Sequence, residues 1–136
     1  VYLLALEECH TYFSKARPQQ FKEGETYYST GVKRITSEDS QKILLAFNLE
    51  TESFAWKYPQ VGSGHSAGGT MTTAGGLVFF GDNAGSFEAL DAQSGKPLWH
   101  FNTGQEFSAS PMTHAVAGKQ YVAIAAGSDV FSFALP

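Results

Sequence analysis

The sequence predicts an all-β chain built from four-stranded antiparallel blades, a part of a β-propeller, and three observations lead there. The first is self-similarity: Ala46–Trp56 (AFNLETESFAW) aligns with Ala89–Trp99 (ALDAQSGKPLW) at an offset of 43 residues. The second is a further partial copy, in which Leu77–Gly81 matches Tyr121–Ala125 and Phe87–Asp91 matches Phe131–Leu135. A period in the low forties carried by short apolar runs marks propeller blades. The third is composition: 43% hydrophobic residues with eleven Phe, six Tyr and two Trp, the balance of a folded, aromatic-rich β protein and not of a disordered one. At about 40–45 residues per blade, the 136 residues hold about three blades, fewer than the roughly 4–8 that close a ring. The chain is therefore expected to be the C-terminal portion of a larger protein, or to complete its ring with partners. Its open sheet edges invite self-association.

The elements follow in order. Residues 1–8 read as a strand. Residues 9–40 contain Pro18, Gly24 and Gly31 without a clean period, which predicts a long excursion that is functional or covers the ring. Strands resume at Gln41–Asn48 and Ser53–Tyr58. The Gly- and Ser-rich stretch Pro59–Gly69 predicts an exposed crossing between blades. Thr70–Thr73, Leu77–Gly81, Ser86–Asp91 and Pro97–Asn102 make one complete blade, with turns that carry glycine where positive φ is cheap. Ala109–Ala115, Tyr121–Ala126 and Val130–Leu135 begin another blade that is one strand short. Residues 1–136 thus divide, as a single partial propeller domain, into an incomplete blade (1–58, with the excursion 9–40), a complete blade (59–104) and a closing blade (105–136).

Several functions are excluded or weakened by the same reading. A net charge of −4 without a basic run argues against a nucleic-acid or membrane-surface partner. No apolar stretch approaches the roughly 18–20 residues of a transmembrane helix. Cys9 is the single cysteine, which rules out an internal disulfide framework, and it reads as a buried small hydrophobe. Glu7, Glu8, Cys9 and His10 offer metal-ligand chemistry, but strand alternation sends Glu7 and Glu8 to opposite faces. His10, His100 and His114 lack zinc spacing. Gly62–Ala67 has the G-x-G-x-x-A spacing of a dinucleotide loop without the helix that must follow it, and His65 beside Ser66 reads as an exposed loop histidine. Asp82 and Asn83 read as turn formers. Asp129 does too, though it is the better functional candidate.

Ala89–Trp99, an Ala-x-Asp-x-x-Ser-Gly-Lys-x-x-Trp segment, resembles the tryptophan-docking repeats of quinoprotein alcohol dehydrogenases. An indole stacked between neighbouring blades buries a large area, while the Asp and Ser bond backbone groups of a tight turn. In the first copy Asn48 and Glu52 replace the Asp and Gly, which predicts a looser turn. Gly68–Asp82 resembles the opening of a late blade of that family, and Ala109–Thr113 with Gly118–Gly127 resembles the closing one. The resemblance implies an eight-bladed quinoprotein ring in the periplasm, holding pyrroloquinoline quinone (PQQ) and calcium on its axis and oxidising alcohols or sugars.

The resemblance further implies that the catalytic aspartate and the main calcium ligands lie in earlier blades. Leu6, Ala67, Gly68, Ser128 and Asp129 then carry the cofactor-binding expectation. Many members have an asparagine where this chain has Leu6 and a tryptophan where it has Ala67, and a Gly-Trp often closes the pocket where Gly127-Ser128-Asp129 stands. The expected role is ring closure and one wall of the cofactor pocket, with the chain inactive alone and binding neither PQQ nor calcium tightly by itself. The alternative is a non-catalytic propeller scaffold that binds protein partners, of the outer-membrane-assembly type. Leu6 and Ala67 favour the scaffold; the agreement across Gly68–Asp82 and Gly118–Gly127 favours the enzyme.

Overall fold

The computed structural model describes residues 1–14, 20–27, 30–34, 40–61, 68–82 and 84–135. Two units make up the chain, one of Val1–Leu6 with Lys42–Pro136 and one of Glu7–Gln41. The strands are β1 (Tyr2–Glu7), β2 (His10–Ser14), β3 (Thr30–Arg34), β4 (Gln41–Asn48), β5 (Ser53–Pro59), β6 (Met71–Thr72), β7 (Leu77–Gly81), β8 (Ser86–Asp91), β9 (Pro97–Asn102), β10 (Met112–Val116), β11 (Lys119–Ala126) and β12 (Asp129–Ala134). Among the described residues there is no helix. Three sheets, ordered β1-β4-β5, β6-β7-β8-β9 and β10-β11-β12, account for ten of the strands, and β2 pairs with β3. The sequence repeat maps β4 and β5 onto β8 and β9, and β7 and β8 onto β11 and β12. In the first sheet β1 therefore takes the place that β7 takes in the second, beside the strand that carries the repeat.

The smaller unit holds strands where the sequence offers no period. β2 and β3 pair antiparallel from His10↔Arg34 to Ser14↔Thr30. Among the described residues β2 and β3 form a two-stranded sheet, in which Tyr12 is 71% exposed. Cys9 stands just before β2, joins neither apolar cluster of the larger unit and is exposed, which corrects the expectation of a buried hydrophobe.

The larger unit buries its core between sheets. Leu44, Val78, Phe80 and Leu90 form one cluster with Tyr2, Leu4, Trp56 and Tyr58 packed against it. Phe87, Phe107, Ile124 and Ala126 form the other. The second sheet contributes to both, so β7 and β8 are covered on both faces. A strand covered on both faces reads as a continuous apolar run instead of an alternating one, which is why Leu77-Val78-Phe79-Phe80 carries no polar residue.

The join between the first two sheets centres on the turn after β8. Asp91 Oδ1 accepts the Ser94 N–H at 2.7 Å and the Ser94 hydroxyl at 2.6 Å, shaping that turn. Trp56 Nε1 donates to Ala92 O at 3.0 Å, and the Tyr2 hydroxyl donates to the same carbonyl at 2.9 Å. The indole lies on Gly95, where a Cβ would come within 2.6 Å of Trp56 Cδ2. Gly95 also has φ +71°, so side-chain space and backbone conformation both demand glycine. Its repeat counterpart Glu52 adopts φ 50° without that freedom. Trp99 does not reproduce the arrangement: it is 41% exposed and meets Phe87 and Phe133 edge-on. The third repeat runs 44 residues behind the second, so the counterpart of Gly95 falls past Pro136.

Gly95→Ala is expected to destabilise the chain by about 2–4 kcal/mol, from left-handed strain together with overlap on the indole. Glu52→Gly is expected to be neutral or stabilising by at most about 1 kcal/mol, because relief of the same strain is offset by a freer unfolded chain. Urea unfolding of both variants checks the pair, and a silent Gly95→Ala would contradict the packing described.

Candidate functional site

The positions singled out by the sequence lie at the ends of strands and in the links between them. Leu6 is near the end of β1 and 40% exposed. Val1 N donates to Phe47 O at 2.9 Å and Phe47 N to Val1 O at 2.8 Å, an antiparallel pairing that runs Leu6 toward the start of β4. Gly68 precedes β6 and packs on the backbone that enters β10: a Cβ there would lie 2.8 Å from Ala109 O. Ala67 lies outside the described residues, as do the rest of the Gly62–Ala67 loop and Asn83.

Ser128 and Asp129 are brought together by a residue that the sequence reading passed over. Gln105 Oε1 accepts the Ser128 N–H at 3.3 Å, and Gln105 Nε2 donates to Asp129 Oδ2. Gly127 N donates to Glu106 O at 3.2 Å. The linker after β9 thus holds the turn between β11 and β12. The same linker holds its own sheet: Thr103 N donates to Gly85 O at 2.8 Å, and Thr103 Oγ1 lies 3.0 Å from that carbonyl. In the first sheet Gln60 N makes the corresponding bond to Lys42 O at 2.8 Å. The Gln60 side-chain amide is buried without a hydrogen-bond partner among the described residues.

A second polar group sits between the first and second sheets, in a crevice of about 470 Å³ lined by Tyr58, Ser86, Glu88, His100 and Asn102 with apolar neighbours from β9. Glu88 faces His100 across the β8–β9 ladder and is only 9% exposed. The Tyr58 hydroxyl donates to Glu88 Oε2 at 2.8 Å. Burial, then the bond to Glu88, pushes the Tyr58 phenol up to about 12. Burial raises the Glu88 carboxyl above its ordinary value, the Tyr58 hydroxyl opposes, and the nearby Asp82 adds to the rise. Asp82 forms its turn as expected, its Oδ1 accepting Ala84 N at 2.8 Å and Ser86 N at 3.0 Å. Neither Gln105 nor Tyr58 belongs to a linear motif. Glu88 alone left a trace, as one acid inside the apolar strand Phe87–Leu90.

The sequence family described as the glucose/ethanol/alcohol dehydrogenase β-propeller domain (PQQ) matches residues 39–122. The chain belongs to that family. It is 46% identical over 84 residues to the quinohemoprotein alcohol dehydrogenase ADH IIB of Pseudomonas putida, an alignment covering 62% of this chain and 12% of the relative. It is 33% identical over 111 residues to the quinoprotein alcohol dehydrogenase PedE of Pseudomonas putida, covering 79% of this chain and 17% of the relative. The solved quinohemoprotein alcohol dehydrogenase of Comamonas testosteroni superposes with a TM-score of 0.80 and 27% identity, over 95% of this chain and 20% of that one. A europium-containing methanol dehydrogenase superposes with a TM-score of 0.74 and 26% identity, over 90% of this chain and 22% of that one. The chain therefore spans 12–17% of the length of these two curated relatives. The three sheets of the larger unit are accordingly blades of a partial propeller. Among the described residues no group of three or more His, Cys, Asp or Glu could hold a metal ion.

The buried carboxylate sets a pH dependence. The Glu88 pKa is higher in the folded chain than its ordinary value of 4.5, so folding favours the protonated form. That contribution is complete below the ordinary value and is lost as pH rises through the raised one. Glu88→Gln keeps an acceptor for Tyr58 and removes the charge. It is expected to melt higher than the parent at pH 7, with the difference vanishing near pH 4. Thermal unfolding across pH measures this, and a pH-independent difference would contradict it.

Proposed function

We propose that the chain forms the closing blades of a PQQ-dependent dehydrogenase that oxidises alcohols or sugars in the periplasm. On this reading residues 1–58 supply an incomplete blade, 59–104 a complete one and 105–136 the last, and the edge strands β1 and β12 pair with the remaining blades. Trp56 and Trp99 serve as docking tryptophans between blades. The observation that carries the reading is the family match over residues 39–122, the stretch that includes the Trp56–Gly95 join.

The residues fit one wall of a cofactor pocket and not the whole of it. PQQ is a tricarboxylate, and Leu6, Ala67, Gly68, Ser128 and Asp129 include no cation. The Asp129 carboxylate is occupied by Gln105. These positions therefore offer contact surface and backbone, and the charge partners of the quinone, like the ligands of calcium, belong to other blades. Catalysis is placed there as well, and the chain alone is inactive. The same lack of cations favours the second reading, a non-catalytic scaffold that binds protein partners.

Titration with PQQ and calcium, followed by tryptophan fluorescence, separates the two. The chain joined to its remaining blades is expected to bind saturably and the chain alone is not. Absence of saturable binding in both would overturn the enzyme reading and leave the scaffold.

A further inference from the structure

We propose that Gln105 is a positioning residue that fixes the turn Gly127–Asp129 in the shape it presents to the cofactor. The assignment rests on the reading that this turn belongs to the pocket wall. Three bonds tie the turn to the linker: Gly127 N to Glu106 O, Ser128 N to Gln105 Oε1 and Gln105 Nε2 to Asp129 Oδ2. Two of the three use the one Gln105 amide, which engages a backbone donor and a carboxylate acceptor with opposite ends. The amide fits only because residue 127 is glycine, since a Cβ there would collide with Gln105 Oε1. Gly127 also has φ +56°, a left-handed conformation that glycine adopts without strain.

The linker is rigid enough to act as a positioning element. At one end Gln105 N donates to Thr103 Oγ1 at 3.2 Å, and Thr103 is bonded to Gly85 O. At the other end Phe107 is 1% exposed and packs where Gly81 has no side chain. Gln105 therefore stands between two anchors on the second sheet and reaches the third. Its amide transmits the placement of one blade to the rim turn of the next, so the wall has a fixed shape before any ligand arrives.

The test uses the whole protein that carries this chain. Gln105→Ala is expected to speed hydrogen exchange at the Ser128 amide about tenfold, the loss of about one hydrogen bond, and to weaken PQQ binding by a similar factor. Gln105→Glu sets a second carboxylate against Asp129 and is expected to weaken PQQ binding at pH 7. Adding Asp129→Asn to it restores a donor–acceptor pair and is expected to recover the affinity, a rescue that general destabilisation would not give. Unchanged Ser128 exchange in Gln105→Ala would overturn the assignment. So would faster exchange with unaltered PQQ affinity, since the turn would then be held by Gln105 without shaping the pocket. A parent protein that takes up no PQQ while its Ser128 amide stays protected would instead overturn the proposed function, and this role with it.

Discussion

Ala92 O is the point on which the larger unit depends. Two aromatic side chains from the first sheet, Tyr2 and Trp56, end on this one carbonyl of the second. Each has an apolar body that joins the core around Leu44 and Val78 and a polar tip that needs a partner. A carbonyl has two lone pairs, so one backbone group can satisfy both tips. Apolar packing is indifferent to small slips between sheets; these two bonds are not. They fix the register of one sheet on the next, and Gly95 lets the indole approach closely enough to make its bond.

At the linker end of the sheets the connection is polar. Thr103 and Gln105 bind backbone groups on both sides, joining the turn at Gly85 to the turn at Gly127–Asp129. Between the second and third sheets Phe87, Phe107 and Phe133 supply the apolar half of the same join. The crevice around Glu88 is the exception, a place where two sheets meet through a buried carboxylate and a phenol instead of hydrocarbon. Burying a charge there costs stability, and the hydrogen bonds from Tyr58 and Ser86 offset part of that cost.

Most of the strands were readable because local pattern and repeat agree. Leu77–Gly81, Ser86–Asp91 and Pro97–Asn102 match the expectation residue for residue, since each is an apolar run bounded by turn chemistry. The hairpin of β2 and β3 was not readable. His10–Ser14 has β-prone residues, but its partner begins at Thr30 with no short turn to announce the pairing. Trp99 shows the limit of the repeat: the same residue at the equivalent place of a repeated segment has a different environment because its counterpart platform is not among these residues. The turn between β11 and β12 was half readable. Ser128 and Asp129 stood out as a glycine turn, whereas Gln105 acts through space across a blade boundary. Only a three-dimensional arrangement shows which amide meets which carboxylate.

A double-mutant cycle on Tyr2→Phe and Trp56→Phe, followed by urea unfolding, measures the shared acceptor directly. If both donors end on Ala92 O, either one alone still satisfies it, and the double variant leaves it bare. The double variant should then lose more than the two single losses together, by about 1 kcal/mol. Strictly additive losses would mean that the two side chains act independently and do not share Ala92 O as their acceptor.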